Sequence, residues 1–263
     1  MTDTQTLADI TVVVTRPRKQ AERLCRLIEA KGGETILFPT LEILEPVKTK
    51  QLISILNRLK QFDWAIFVSV NAVKGATRLI GAKLPTRLKL AAVGNTTRTA
   101  IEQQWQQPVI CPSQGSNSEA LLATQELQEI EGQKIAIFRG QGGRELLAQA
   151  LNKRGATVEY AEVYRRAKPN ANPAELAKRQ PGIDLITATS NESLQNLYEM
   201  TDFKQHDWLL SKQLIVMSER TATLARQLGF RSPAVIAKES NDQGLVNAML
   251  AWRAQNQNNN SLI

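Results

Sequence analysis

The densest concentration of possible chemistry in the chain is Arg139-Gly140-Gln141-Gly142-Gly143-Arg144. A short apolar run, Ile135 to Phe138, leads into it, and Leu147, Ala150 and Leu151 follow at helical spacing. A glycine-rich turn between a strand and a helix exposes backbone N–H groups at the positive end of the helix dipole, which suits an anion. Arg139 and Arg144 add charge of the same sign. A second class of candidates is a set of hydroxyl and amide side chains, each following an apolar run. They are Thr15-Arg16, Ser69-Val70-Asn71, Gly94-Asn95-Thr96-Thr97, Ser116-Asn117-Ser118, Thr189-Ser190-Asn191, Ser218-Glu219-Arg220-Thr221 and Ser240-Asn241. Any one of these reads first as a helix N-cap, worth about 1 kcal/mol. Together they describe a site rich in hydroxyls and free N–H groups, with few fixed charges.

Other chemistries are poorly provided for. The single histidine, His206, sits in the polar stretch FKQHDW and reads as a surface residue, not a catalytic base. With Cys25 and Cys111 as the two cysteines, neither a Ser–His or Cys–His nucleophile nor a zinc site is expected. A disulfide is not expected in a reducing compartment. The GQGGRE loop lacks the Gly-Lys-Ser/Thr of a P-loop, and the spaced glycines and downstream acid of a dinucleotide site. Lys and Arg total 33 against 25 Asp and Glu, a net charge of +8 that favours anionic partners. The basic residues are dispersed and aromatics make up 5% of the chain, so no stacking platform for nucleic acid is present and none is expected as a partner. No apolar run is long enough to span a bilayer, and MTDTQTLADI is not a secretory signal; the expectation is a cytoplasmic protein.

The elements that must position these residues alternate strand and helix. Near-continuous apolar runs such as AIFVS, LAAVG, IAIFR, LITAT and LIVMS predict strands buried on both faces of a parallel α/β sheet, with ligands at the carboxyl ends. The pattern repeats. Arg16 and Arg139 lie 123 positions apart, as do Gly32 and Gly155. Ser69 and Ser190 lie 121 apart, Thr97 and Thr221 lie 124 apart, and SNSEALL and SNDQGLV also lie 124 apart. The chain is read as two duplicated α/β halves, and the repeat alone allows a sequential split near residue 131. Asn172 is expected to cap a helix starting at Pro173, and residues 254–263, rich in Gln and Asn, to be disordered.

The pieces VTRP (14–17), FPTLEI (38–43), IFVSVNAV (66–73), AVGNTT (92–97), RGQGGRELLAQAL (139–151), AEVYRR (161–166), ITATSNESLQNL (186–197) and SERTATLARQLGF (218–230) resemble the uroporphyrinogen-III synthases. RGQGGRELL followed by EVYRR is the most specific part. The resemblance implies two flavodoxin-like domains, residues 1–39 plus 168–263 and residues 40–167. A two-stranded linker near 40–46 and 161–167 would join them, with the substrate in the cleft between. It implies an enzyme, a monomeric lyase without metal or cofactor, that receives hydroxymethylbilane from the preceding pathway enzyme. Such an enzyme closes this bilane, which carries eight carboxylates, to uroporphyrinogen III with inversion of ring D and loss of water.

Carried onto this chain, the resemblance makes Tyr164 of EVYRR the candidate acid at the departing hydroxyl, with a packed linker tyrosine as the equal alternative. Phenols titrate near 10, so it would act through hydrogen bonding more than full proton transfer. The resemblance assigns Thr97, Ser190 and Thr221 as binding hydroxyls. Thr15, Arg16, Ser69, Asn71, Gly94, Ser116, Arg139, Gly140, Gly142, Gly143, Arg144, Asn191 and Ser218 complete the expected substrate contacts. Arg139 and Arg144 would either pair with carboxylates or brace the loop. Arg98, where relatives often carry alanine, would add a contact or face solvent. The alternative from another class is a two-domain clamp that binds an anionic small molecule without chemistry.

Overall fold

The apolar runs fold as parallel strands of two sheets. The computed structural model describes residues 6–171, 176, 178–179 and 182–260, side chains of 258–260 excepted, so the Asn172 cap lies outside the described residues. Two compact units emerge, Met1–Glu42 with Ala167–Ile263, and Ile43–Arg166.

The first unit begins with β1 (Thr11–Val14), α1 (Arg18–Glu29) and β2 (Glu34–Leu37). After the chain returns, it continues with β9 (Leu185–Ala188), α7 (Asn191–Met200), α8 (His206–Leu210), β10 (Gln213–Val216), α9 (Glu219–Leu228), β11 (Val235–Ile236) and α10 (Asp242–Asn260). Its sheet runs β2-β1-β9-β10-β11, and these neighbours pair in parallel. One face packs Leu24, Ile28, Leu245 and Met249 from α1 and α10. The other packs Leu194, Leu197, Leu209 and Ala225 from α7, α8 and α9. The low-complexity composition of residues 254–263 predicts disorder, but α10 carries its helix on to Asn260. Its packed residues, Leu245 to Met249, nucleate a helix that the Gln/Asn run then extends.

The second unit comprises β3 (Glu42–Leu44), α2 (Lys50–Asn57), β4 (Trp64–Phe67), α3 (Val70–Ile80), β5 (Lys89–Ala92), α4 (Asn95–Trp105), β6 (Val109–Ile110), α5 (Ser118–Leu122), β7 (Lys134–Gly140), α6 (Leu146–Lys153) and β8 (Thr157–Ala167). Its sheet runs β3-β8-β7-β4-β5-β6, with β8 to β6 parallel. Helices α2, α3 and α4 cover one face with Leu52, Ile55, Val73 and Ile101. Helices α5 and α6 cover the other with Leu121, Leu147 and Leu151.

The repeat survives in space but not in chain order. Offsets of 121 to 124 place β7 and β8 on β1 and β2, and β9, β10 and β11 on β4, β5 and β6. Equivalent strands then occupy equivalent places: β2-β1-β9-β10-β11 matches β8-β7-β4-β5-β6. The second unit reaches the same sheet through circularly permuted connections. Gly32 and Gly155, equivalent in the repeat, both take φ of 82° after their helices.

Candidate active site

Because the strands are parallel, every loop that follows a carboxyl end lies at one edge of its sheet. In the second unit the first residue of three such loops is tied by its backbone to the neighbouring strand. Val68 N–H donates to Phe138 O at 3.2 Å, Val93 N–H to Phe67 O at 3.2 Å, and Gln141 N–H to Tyr164 O at 2.8 Å. Ser69 caps α3, its Oγ accepting from Ala72 N–H at 3.2 Å. Gly94 caps α4, and a Cβ there would stand 2.9 Å from Ser116 Oγ. Asn117 caps α5. In the first unit Ser190 and Ser218 cap α7 and α9 in the same way, accepting from Ser193 and Thr221 N–H. The capping reading of these loops is thus correct, and it is compatible with binding: a capping oxygen satisfies one N–H and leaves others of the first turn to a ligand.

The helix N-termini differ in charge. The first turns of α3 and α4 contain no acidic residue, whereas those of α7 and α9 contain Glu192 and Glu219. The helix N-termini at Ser69–Asn71 and Gly94–Thr97 therefore carry a more favourable potential for an anion than those at Ser190–Asn191 and Ser218–Thr221. Thr97 is buried in the first turn of α4, and buried Thr221 donates to Asn191 Oδ1 at 3.0 Å.

Tyr164 is 1% exposed, packed into the core beneath α3, with its Oη 3.3 Å from Ser69 Oγ. Ser69 is half-buried, so of this hydroxyl pair it is the member nearer solvent. Gly140 lies against the phenol: a Cβ at 140 would come within 2.6 Å of two ring carbons.

Several expected contacts turn out to be internal. Thr15 is fully buried; its hydroxyl meets Thr187 O at 2.6 Å and Ser193 Oγ at 2.8 Å, so it holds β1 to β9 and α7 and is not presented to a ligand. Arg16 is paired with Asp242 at the start of α10. Arg139 is 7% exposed, donates to Glu145 Oε1 at 3.2 Å and lies 3.7 Å from Glu162 Oε1. Of its two expected roles, bracing is the one seen. Gly140 is buried beside Tyr164, and Gly142 N–H donates to Glu162 Oε1 at 3.2 Å, so the glycine loop already holds a carboxylate of its own chain. Gly143 and Arg144 are exposed; Arg144 reaches Glu119 at 3.7 Å. Arg98 donates to Glu102 at 2.8 Å, which holds its guanidinium above its ordinary pKa. His206 is half-buried, with Nε2 3.0 Å from both Tyr198 O and Thr201 O at the end of α7, a capping role that a surface reading does not anticipate.

Among the described residues no cluster of three or more His, Cys, Asp or Glu could hold a metal, and no helix is long and apolar enough to cross a membrane. The two cysteines are free thiols, and burial raises the pKa of each.

Residues 22–247 match the family model described as uroporphyrinogen-III synthase HemD. The chain belongs to the uroporphyrinogen-III synthase family. It is 35% identical over 240 residues to a uroporphyrinogen-III synthase of Salmonella typhimurium, covering 89% of this chain and 97% of that one. To the Escherichia coli enzyme of that name it is 34% identical, with the same coverage of both chains. The fold is similar to that of the Helicobacter pylori uroporphyrinogen-III synthetase, with a TM-score of 0.62 and 14% identity over 92% of this chain and 99% of that one. A mutant uroporphyrinogen III synthase of Thermus thermophilus gives a TM-score of 0.61 at 17% identity, over 94% of this chain and 99% of that one.

Family membership makes the chain an enzyme of tetrapyrrole synthesis acting on a small molecule. The structure separates two kinds of residue that the sequence presents alike. Small polar residues at α3, α4, α7 and α9 stand at ends of helices, while Thr15, Arg16 and Arg139 hold the frame behind them. Two features are absent from the sequence-level site: Glu162, which fills the glycine loop, and Gly75 in the middle of α3, which packs against Val163. Gly75 was detectable in principle, since an interior helical glycine costs about 1 kcal/mol and implies a close approach.

Proposed function

We propose that this chain converts hydroxymethylbilane to uroporphyrinogen III, as its family membership indicates, on two flavodoxin-like units joined by a linker of β3 and β8. The strand order β2-β1-β9-β10-β11, repeated as β8-β7-β4-β5-β6, supports the two-unit reading, as does the position of β3 beside β8 at the crossings of the chain. The observation that carries the chemical reading is the Ser69–Tyr164 hydroxyl pair at 3.3 Å, set at the N-terminus of a helix with no acidic residue in its first turn.

The chemistry asks little covalent work of the protein. Loss of the bilane hydroxyl leaves an azafulvene cation stabilised by the pyrroles. Attack by the substituted carbon of ring D gives a spiro intermediate, which fragments and recloses with that ring turned over. The protein holds a polyanion folded back on itself so that inversion outruns direct closure. Carboxylates sit on the N–H groups of the α3 and α4 first turns, with Asn71, Thr97 and Ser116 beside them. Ser190, Asn191, Ser218 and Thr221 offer further donors. Ser69, backed by Tyr164, gives the departing hydroxyl a hydrogen bond as it leaves.

The purified protein, given hydroxymethylbilane in the presence of a strong chelator and no added cofactor, is expected to consume it far faster than buffer alone. Consumption at the buffer rate overturns the reading. Activity lost to the chelator and restored by a divalent ion overturns its metal-free chemistry.

A further inference from the structure

Strand β8 carries an irregularity that decides where Tyr164 points. Its parallel register with β7 pairs Phe138 with Ala161, Arg139 with Glu162 and then Gly140 with Tyr164, so Val163 is an extra residue with no partner of its own. Bulges in parallel pairs are rare, and each one inverts the facing of the residues beyond it. Before the bulge, Tyr160 and Glu162 lie on the Arg139 side of the sheet, where Arg139 stacks on Tyr160 at 3.9 Å. A regular strand would place Tyr164 on that side too. With Val163 inserted, Tyr164 instead joins the core beneath α3, within reach of Ser69.

Two glycines make room for this arrangement. Gly75 lies inside α3, and any Cβ there would overlap the carbonyl oxygen of Val163, the bulged residue itself. Gly140 faces the Tyr164 ring, where a Cβ would stand 2.6 Å from two ring carbons and 3.0 Å from Oη. Neither glycine has positive φ. Both are required by close approach alone, and both approaches are to the same two-residue kink.

We propose that Gly75 and Gly140 are positioning residues for the reaction: together they hold the bulge at Val163 that turns the Tyr164 hydroxyl onto Ser69. The proposal rests on the reading that this hydroxyl pair assists loss of the bilane hydroxyl. Neither glycine needs to touch substrate, so their effect belongs in turnover and not in binding.

A double-mutant cycle with Gly140→Ala and Tyr164→Phe tests it, with kcat and KM for hydroxymethylbilane and thermal unfolding measured for all four proteins. Gly140→Ala is expected to lower kcat about 10- to 100-fold, the scale of a small misplacement of a reacting group, with KM changed by less than about twofold. In the Tyr164→Phe background it is expected to lower kcat no further, while its effect on unfolding persists. Gly75→Ala, which presses on the bulge from the other side, should repeat the pattern and serves if Gly140→Ala does not fold. Folded glycine variants with unchanged kcat overturn the proposal, as do effects on kcat that multiply with Tyr164→Phe. Full turnover by Tyr164→Phe alone overturns both the role of the phenol and the positioning built on it. Loss of turnover in Tyr164→Phe with multiplying effects overturns the positioning only.

Discussion

The guanidinium of Arg139 lies 3.9 Å over the ring of Tyr160, and the Tyr160 hydroxyl donates at 2.7 Å to Glu145, the carboxylate that Arg139 itself contacts. The three side chains close a ring around the base of the glycine loop, and Glu162 binds the loop from the strand beside it. Arg139→Lys keeps the charge but loses the planar stack and fork. It is expected to cost about 1–3 kcal/mol of stability in chemical unfolding, while KM for hydroxymethylbilane stays within about twofold. A KM raised tenfold with stability intact would return Arg139 to the substrate.

The same ring titrates at high pH. Burial, and then the hydrogen bond to Glu145, push the Tyr160 phenol up to about 12. A pKa raised above the unfolded value of about 10 means that stability from this group is fully present below about 10 and is lost as pH climbs towards 12. The hydrogen bond from Tyr160 in turn holds Glu145 below the ordinary carboxylate range, with Arg139 assisting. That smaller contribution is present above the unfolded carboxylate pKa and is lost as pH falls through the lowered one. Absorbance titration should resolve a phenol ionising near 12 in the folded protein, absent in Tyr160→Phe. A phenol count unchanged by the substitution at that pH would contradict the assignment.

Much of this was legible in the sequence, and what was not has a physical reason. Strands such as Trp64–Phe67 and Leu185–Ala188 are buried on both faces, so their apolar runs announce them. The caps Ser69, Ser190 and Ser218 follow those runs directly. The side on which Tyr164 packs is not legible in the sequence: Tyr160, Glu162 and Tyr164 recur at period two, and only the register reveals the extra residue at Val163. The glycine loop reads as an empty anion site because Glu162, its occupant, lies 20 positions away on another strand. Arg16 misleads for a similar reason, its partner Asp242 being supplied by the last helix.

Thr15 tests the division between frame and site. Thr15→Val takes the hydroxyl donor from Thr187 O and one of two hydroxyl partners from Ser193, which keeps Thr40, and is expected to cost about 1–3 kcal/mol. Turnover of the remaining folded protein should be unchanged when measured well below its unfolding temperature. A selective rise in KM would mean that Thr15 meets the substrate after all.

Helix dipoles give stability and binding opposite signs at α3. Asn71→Asp adds a carboxylate to a first turn that has none. Interaction with the dipole should leave the protein as stable or up to about 1 kcal/mol more so, while KM for a polycarboxylate rises roughly two- to fivefold. Added salt should narrow the difference in KM. An unchanged KM would remove the α3 N-terminus from the binding surface.

The identity of the product is the decisive measurement. Hydroxymethylbilane is incubated with the purified protein, the product is oxidised, and the isomers are resolved by chromatography. The type III isomer is expected in large excess, because the enzyme holds the bilane so that ring D inverts before closure. The type I isomer alone, as forms without protein, would contradict it.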